Sequence, residues 1–446
     1  MVPTRLQTFF LAIGLLAGLA QTARAQSSFD AAWYDAEASY VKLGIAQDGV
    51  YRVSRSTLEA AGLPPSADPA TFQLFENGRE VPTEYRPDED ALIFVGRRNR
   101  GTDEQWAYNR NADWQSSTFY SLYSDTTFYW LTWGQAPGQR YDLRAPGGGT
   151  TLRTTRDTLH AEEDNTYFYG EESGDPLYTP GEGYYWDSFR LNSTGTTAQK
   201  TYALSLDRLD RTAPDSLALT VKLRGSSGSC HRVTLDARLQ QEGSPAFSQV
   251  DEVSWNRYDG AALQATLAPG DVPESGTLDL RLTTYANAAC GTPNFVLLDW
   301  MEVAYPRQLR AQGATDAQSF TAPGGPRTFE VGGHAAPVRA YAPATQRRYA
   351  GDALGGGRHA IRTNALAPAT YWVAGAEGYR TPASVQPNAP SDWANSANAA
   401  DYVILTTEAL RPSAEDLAAY RRAQNDYAVE IVDIQNVFDQ FDYGRP

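Results

Sequence analysis

Short runs of alternating hydrophobic and polar residues fill the first part of the chain and predict β-strands. Residues 40–45 and 50–53 are the first two runs, and the Asp48-Gly49 pair between them predicts a tight hairpin. A short helix is expected over residues 56–62, because the segment ends at glycine with two prolines behind it. The aromatic run 119–133 predicts two further strands. We interpret residues 26–152 as an N-terminal β-rich domain.

The same alternation continues through two further blocks. Residues 153–310 contain runs separated by turn residues, which predict an antiparallel β-sandwich or jelly roll with strands at 201–206, 217–223, 231–239, 276–283 and 295–305. Residues 311–380 form a smaller block that we interpret as an immunoglobulin-like β module, with strands at 329–331, 338–341, 359–362 and 370–374.

The hydrophobic period changes after residue 399. Residues 381–399 are rich in Pro, Ser, Asn and Ala and are expected to be a linker. The apolar run 402–406 predicts a strand buried on both faces, Pro412 and Ser413 mark the start of a helix, and residues 428–432 predict a second strand. This is a β-α-β unit with parallel pairing. Such a sheet needs more strands, so we expect residues 400–446 to be the incomplete start of an α/β domain.

The length and the net charge of the chain indicate how many domains it has and which class of partner it does not bind. At 446 residues the chain is too long for one core and predicts about three domains. Its formal net charge of −15 argues against nucleic acid as a partner, since phosphate binding needs a basic face.

The N-terminus has the three parts of a secretory signal. Arg5 supplies the positive charge, residues 9–20 the apolar core, and Ala23-Arg24-Ala25 a small-x-small cleavage site before Gln26. Residues 1–25 are therefore expected to direct export and to be cleaved between Ala25 and Gln26. No later segment reaches the roughly 18 continuous apolar residues of a transmembrane helix.

Both ends of the chain resemble one family. The C-terminal run reads DYVILTTEAL…LAAYRRAQNDYAVEIVDIQNVFDQF, and it is similar to the opening of the gingipain-type cysteine peptidase domain, which has the caspase-like fold. The N-terminal run reads GIAQDGVYRVSRSTLEAAGL…ATFQLFENGREVP, and it resembles the corresponding region of the type IX secretion sortases of that family.

The resemblance implies a cysteine endopeptidase acting on proteins. No cofactor is expected, and calcium, the one considered, has no support from the residues. The resemblance also implies a His-Gly pair and a nucleophilic Cys after later strands, and neither occurs in residues 400–446, so the catalytic residues are expected beyond Pro446 and this chain is expected to be inactive. It further implies an exported protein at the cell surface, associated with the outer membrane or extracellular, with secretion-system components among its partners.

Cys230 and Cys290 are the only cysteines. In an exported chain two cysteines favour a disulfide, and a pair of separate buried thiols is the alternative. A catalytic thiol at Cys230 beside His231 is a further alternative. It is disfavoured because adjacent residues on a strand point to opposite faces.

The histidines and the acidic clusters are more typical of structural positions than of metal-binding or catalytic ones. The four histidines lack metal-binding spacing and are expected to be surface or packed residues, namely His160, His231, His334 and His359. The acidic clusters 88–90 and 162–164 lack the ligand pattern of a calcium loop, so a solvated face is expected.

Aromatic residues leave a non-catalytic function open. Residues Phe119, Tyr120, Tyr123, Tyr129 and Trp130 could stack on sugars or peptides, although cross-strand packing is commoner. The first alternative to a peptidase is an exported adhesion or scaffolding protein whose terminal α/β domain lacks the catalytic His and Cys. The second is a glycan-binding β-domain protein, which rests on these aromatic residues.

Overall fold

The computed structural model describes residues 33–104, 115–144, 147–168, 183–241, 244–286, 292–311, 313, 315–316, 318–388 and 390–446. The chain divides into two compact units. The larger consists of Ser39–Glu76 and Glu80–Ala389, and the smaller of Met1–Ala38, Asn77–Arg79 and Pro390–Pro446. The signal segment 1–25, with Ala25 and Gln26, lies outside the described residues.

The N-terminal region is built from short strands and one short helix. The strands are β1 Tyr40–Ile45, β2 Gly49–Ser54, β3 Gln73–Glu76, β4 Arg79–Val81, β5 Glu84–Arg86, β6 Ala91–Gly96 and β7 Thr127–Thr132, and the helix is α1 Arg55–Ala60. Ser54 caps α1 by accepting a hydrogen bond from the Thr57 amide at 3.1 Å. The apolar faces of β1, β2, β6 and β7 enclose a core that includes Leu43, Phe94 and Tyr129.

The hairpin predicted at Asp48-Gly49 is wrong. Strand β1 pairs with β7, whereas β2 pairs with β6 in a different sheet. The Asp48 carboxylate accepts hydrogen bonds from the Arg98 amide and the Arg100 guanidinium, both at 2.8 Å. These long-range contacts hold Asp48 in a loop between two sheets, so the local turn signal does not decide the pairing.

The prediction of two strands within residues 119–133 is only half correct. Strand β7 forms, but the residues before it follow an irregular path fixed by side chains. The Glu104 carboxylate accepts from the Leu122 amide at 2.8 Å, and Asn99 donates to the Ser124 carbonyl at 2.8 Å. These bonds satisfy backbone groups that a strand would otherwise satisfy through its ladder.

The middle region is an antiparallel sandwich, as predicted. Its strands are β10 Thr154–Glu162, β11 Thr166–Tyr167, β12 Tyr184–Tyr185, β13 Asp187–Leu191, β14 Thr197–Ser205, β15 Leu217–Gly225, β16 Cys230–Leu239, β17 Ala246–Asn256, β18 Gly260–Leu267, β19 Thr277–Tyr285 and β20 Asn294–Gln308. One sheet has the order β10-β20-β15-β18 with β13 on β20, and the other has the order β14-β19-β16-β17. Inward residues of both sheets, such as Val221, Leu235, Leu280 and Val303, form a common core.

A third core lies under the next set of strands. These are β21 Gln318–Ala322, β22 Arg327–Gly332, β23 Arg339–Ala342, β24 Arg347–Gly355, β25 Arg358–Thr363 and β26 Ala369–Ala374, joined at the edges by β8 Asp142–Leu143 and β9 Thr150–Leu152. Phe320, Phe329 and Tyr371 meet at the centre, with ring centroids 4.7–5.6 Å apart.

The segment 381–399 is not simply a linker. Residues Ser384–Asn388 form β27, which pairs antiparallel with β1 and completes the sheet order β27-β1-β7-β3-β4. The edge of β1 offers unpaired backbone groups, and pairing satisfies them whatever the side chains are. This explains how a polar, proline-containing segment becomes a strand.

The smaller unit contains the expected β-α-β arrangement. It comprises β28 Tyr402–Thr406, α2 Arg411–Asn425, β29 Val429–Asp433 and α3 Ile434–Phe441, and β28 pairs parallel with β29 as predicted. The predicted fold class, a mainly β chain with several sheets followed by this unit, is confirmed. No helix among the described residues is both long and apolar enough to cross a membrane.

Candidate functional site

The β-α-β unit is held together by its helix. Ala414 and Ala418 are the buried residues of α2, and Arg422 donates to the Val429 carbonyl at 2.6 Å, which ties the helix to β29. Asp426 ends α2 in the left-handed conformation, with φ of 56°. In parallel sheets of this kind, chemistry is normally located outside the carboxyl ends of the strands.

The carboxyl ends of the two strands carry polar residues. Strand β28 ends at Thr406, and β29 ends at Asp433, whose side chain accepts from the Gln435 amide at 2.9 Å and so caps α3. Residues 400–446 contain neither His nor Cys. This edge therefore carries neither a thiol nor an imidazole base.

One face of β28 is open, which corrects the prediction of a strand buried on both faces. Val403 and Leu405 are 55% and 61% exposed, while Ile404 on the opposite face is only partly exposed. Apolar side chains at alternate positions are typical of a face that another layer covers. Here α2 covers one face only.

The predicted disulfide stays a prediction. Cys230 is the first residue of β16, but Cys290 lies outside the described residues. The alternative of a thiol served by the neighbouring His231 is disfavoured. The ring nitrogens of His231 lie 2.6 Å from Asn294 Oδ1 and 2.7 Å from the Arg257 carbonyl oxygen, so both are occupied.

All four histidines are buried, so of the two expected placements, surface or packed, the structure has the packed one. Their exposed fractions are 9% for His160, 1% for His231, 4% for His334 and 5% for His359. No group of three or more metal-ligating side chains occurs among the described residues. The sequence suggested a specific role only for His231, as a neighbour of Cys230.

His160 lies in a cluster that sequence reasoning missed. Its Nδ1 is 2.8 Å from Glu302 Oε1, and its Nε2 is 2.6 Å from Glu162 Oε2. The pairing of β10 with β20 places His160 directly opposite Glu302, and the two-residue period of β10 places Glu162 on the same face. Only the long-range register of β20 could have revealed this arrangement.

Glu162 also departs from the predicted solvated acidic face. Its side chain is only 4% exposed, because it is turned toward His160. Glu163 and Asp164 remain exposed, as expected for the rest of that cluster. In the cluster 88–90, Glu89 pairs with Arg52 at 3.1 Å and with Arg86 at 2.8 Å, so it takes part in structure.

Aromatic rings enclose the imidazole of His160. The Phe119 ring is stacked on it, with centroids 4.2 Å apart and planes inclined by 15°, and Trp300 lies 5.7 Å away on a tilted plane. Tyr120 makes an edge contact at 5.9 Å. Of the other three aromatic residues of the predicted run, Tyr129 and Trp130 are fully buried core residues, whereas Tyr123 is 52% exposed.

Charge and burial act in opposite directions on His160. Burial lowers the pKa of this imidazole, but the hydrogen bonds and negative charges of Glu162 and Glu302 outweigh burial and raise the pKa above 6.5. Nearby, Asp299 is 3% exposed, and burial raises the pKa of its carboxyl from 3.8 to about 7. The cluster therefore favours protons on both groups.

Comparison with known proteins supports the resemblance seen in the motifs. Residues 395–446 match the model of Peptidase family C25. The crystal structure of dimeric latent PorU from Porphyromonas gingivalis matches with a TM-score of 0.62 and 19% identity, over 92% of this chain and 38% of that chain. This chain thus spans little more than a third of the PorU chain. No curated protein matches the sequence.

Carbohydrate-binding modules match far less well. The CBM36-1 domain of a multidomain xylanase from the hindgut metagenome of Trinervitermes trinervoides aligns at 10% identity with a TM-score of 0.19, over 33% of this chain and 96% of that domain. That value supports no argument about function. Residues 395–446 are therefore similar to Peptidase family C25, the gingipain family, and the fold of the chain is similar to that of latent PorU.

Proposed function

We propose that this chain is the N-terminal portion of a secreted gingipain-like cysteine endopeptidase. The observation that carries the proposal is the match of residues 395–446 to Peptidase family C25 on a parallel β-α-β unit whose outer face is open. Parallel α/β domains bury both faces of their sheet, so Val403 and Leu405 would be covered by the continuation of the peptidase domain.

In the intact protein, a Cys thiolate would attack the peptide carbonyl and a His would pass the proton to the leaving amine. Both residues are proposed to lie beyond Pro446, on loops that follow later strands of the sheet. Strands β28 and β29 would form the first part of that sheet, and α2 would cover one of its faces. The chain as given would bind no catalytic cofactor and cleave no peptide.

The finer proposal is a sortase-like member that acts on secreted cargo. Its support is the shared fold with PorU over 92% of the chain and the signal-like segment before Gln26. Under this proposal the protein is exported and acts at the cell surface, in association with the outer membrane or outside it. Its partners would be a protein substrate and components of the secretion system, and the β regions would hold or position the peptidase.

The first experiment is to sequence the gene and its transcript past codon 446. We expect an open frame that encodes a His-Gly pair and then a Cys, each after a predicted strand. The intact protein should cleave a fluorogenic peptide, and replacement of that Cys by Ala should abolish cleavage while a Cys230→Ala variant retains it. A frame that continues without the His and Cys, or an intact protein with no Cys-dependent cleavage, would contradict the proposal.

A glycan-binding function is the second candidate, and one observation favours testing it. Tyr167 and Tyr184 are 63% and 47% exposed, with ring centroids 5.1 Å apart, an arrangement that could stack on a sugar. Binding of soluble polysaccharides to the chain, lost on Tyr167→Ala and Tyr184→Ala, would support this function. An adhesion or scaffolding protein would be indicated if the intact protein lacked both cleavage and sugar binding.

A further inference from the structure

The irregular segment 115–125, which we call the connecting segment, packs against the sandwich. The Asp299 carboxylate accepts a hydrogen bond from the Ser116 hydroxyl, and the Trp300 indole donates to Ser116 Oγ at 3.0 Å. Phe119 of the same segment covers the His160 ring at 4.2 Å. Two strands of one sheet, β10 and β20, thus hold a segment that belongs in sequence to the N-terminal region.

The geometry of His160 calls for a proton. A neutral imidazole has one N–H donor and one acceptor nitrogen, whereas an imidazolium has two donors. Each ring nitrogen of His160 faces a carboxylate oxygen, at 2.8 Å for Glu302 and 2.6 Å for Glu162. In the neutral state one carboxylate would therefore face a nitrogen lone pair inside a site where the His160 side chain is fully buried.

The geometry of Asp299 calls for a proton as well. Its Oδ2 accepts from Ser116, while Oδ1 is buried without a hydrogen-bond partner among the described residues. An ionised carboxylate in this position would leave a buried negative charge with a single neutral donor, which is costly in a medium of low dielectric. The neutral acid removes that cost.

The charges around the two groups do not reverse this preference. Around Asp299, Glu162 is unfavourable to a negative charge, and Lys222 and Arg224 favour it less strongly than burial opposes it. Beside Phe119 and Tyr120, Arg98 lies 4.6 Å from both ring centroids and pairs with Asp125 at 3.1 Å. Arg100 lies over the Phe119 ring, Asp164 lies beside Tyr120, and the buried Glu104 carboxylate accepts hydrogen bonds from the Ser121 hydroxyl and the Leu122 amide of the connecting segment.

We propose that His160 and Asp299 form a proton-operated clasp, which fixes the connecting segment on the sandwich when both groups are protonated and releases it when they lose their protons. The clasp joins the N-terminal region to the sandwich within the larger unit. Ser116 and Phe119 are the residues of the segment that contact the two titrating side chains directly. The Ser116 hydrogen bond by itself favours ionised Asp299, but burial of the carboxyl opposes ionisation more strongly, so the closed arrangement is weakened when Asp299 loses its proton.

Both pKa shifts act in the same direction. The pKa of Asp299 in the clasp is about 7 against an ordinary 3.8, so its contribution to closure is lost as the pH rises through about 7. The pKa of His160 is raised above 6.5, so its contribution is complete below 6.5 and is lost at higher pH. Closure is therefore strongest in mildly acidic solution.

The test is amide hydrogen exchange of the whole chain between about pH 6 and pH 8, corrected for the intrinsic rate at each pH. From Asp299 alone we expect the protection of residues 115–125 to fall about tenfold over this range. The reason is that the pKa of Asp299 is about 7 in the closed state and 3.8 in its ordinary state, so ionisation above pH 7 weakens closure. In the Asp299→Asn variant, which cannot titrate, the fall should be clearly smaller. Strands β15 and β16 provide the internal reference, and Asp215→Asn, at an exposed position outside the strands, is the control variant.

A wild-type segment with the same protection at both pH values would overturn the proposal, as would an Asp299→Asn variant with the full wild-type fall. If Asp299→Asn does not fold, Ser116→Ala replaces it, because this change removes the hydrogen bond to Asp299 without altering a residue of the sandwich. Protection at pH 6 should then drop toward the wild-type level at pH 8. Unchanged protection in Ser116→Ala would equally contradict the clasp.

Discussion

Two buried histidines in the same unit have opposite environments. His160 faces two carboxylates, and they raise its pKa above 6.5 in spite of burial. Neither ring nitrogen of His334 has a side-chain hydrogen-bond partner among the described residues, and burial lowers its pKa to about 4, with Asp316 opposing this effect and His359 adding to it. Both side chains are almost inaccessible to water, so burial alone does not decide the charge of a histidine.

The difference shows which partner a buried imidazole requires. Desolvation disfavours the charged ring in both places, and only a nearby negative charge compensates for it. Strand register supplies that charge to His160, because Glu302 lies directly opposite on β20. At His334, which lies outside the strands, the charge of Asp316 opposes burial without outweighing it. The two sites therefore respond to acid in opposite ways, which can be measured.

The largest effect is expected from removing a carboxylate at His160. In Glu162→Gln the imidazolium loses the partner at 2.6 Å, and breaking a buried ion pair costs about 3 kcal/mol. Chemical denaturation at about pH 6 should report this loss, and NMR titration should show a lower pKa for His160. Glu163→Gln, one residue away and exposed, is the matched control and should change neither quantity. A Glu162→Gln variant as stable as the wild type would contradict the claim that Glu162 stabilises a charged imidazole at His160.

The second effect concerns His334 in acid. Its pKa is lowered from 6.5 to about 4, so the folded state takes up a proton less readily, and stability is present above pH 6.5 and lost as the pH falls toward 4. We expect a loss of about 2 kcal/mol by pH 5 from this residue. His334→Leu should remove most of this loss in denaturation measured at pH 7.5 and pH 5.

The matched control is His359→Leu, which should retain most of the acid loss, since burial of His334 is the largest cause and remains. If the free energy of unfolding of His334→Leu depends on pH as it does in the wild type, another group causes the acid sensitivity. The contrast drawn between His160 and His334 would then be wrong.

The smallest effect tests the aromatic cover of His160. Phe119→Leu keeps an apolar side chain but loses the stacked ring 4.2 Å from the imidazole, which should cost about 1 kcal/mol. The loss should be greater at pH 6 than at pH 8, because a charged imidazole interacts more strongly with a ring face. Tyr123→Leu, at a position 52% exposed, serves as the control. An equal loss at both pH values would limit the role of Phe119 to packing.

Local sequence predicted strands well and their partners poorly. Strand β1 was predicted at its observed bounds, Tyr40–Ile45, because alternation and flanking turn residues are local signals. Its partners are β7 and β27, far away in sequence, and the Asp-Gly turn gave no information about them. Strands β17 and β18 were missed because their half-exposed residues show a weak hydrophobic contrast.

The sequence by itself determined the mainly β class, the parallel β-α-β unit and the resemblance to the gingipain family, because all three follow from patterns within short segments. Tertiary structure alone decided that Glu302 and Glu162 meet His160, and that Ser116 and Phe119 close over the same sheet. The contacts of His160 with Glu302 and of Ser116 with Asp299 join residues 142 and 183 positions apart, and their energy depends on strand register and burial, which no local pattern contains.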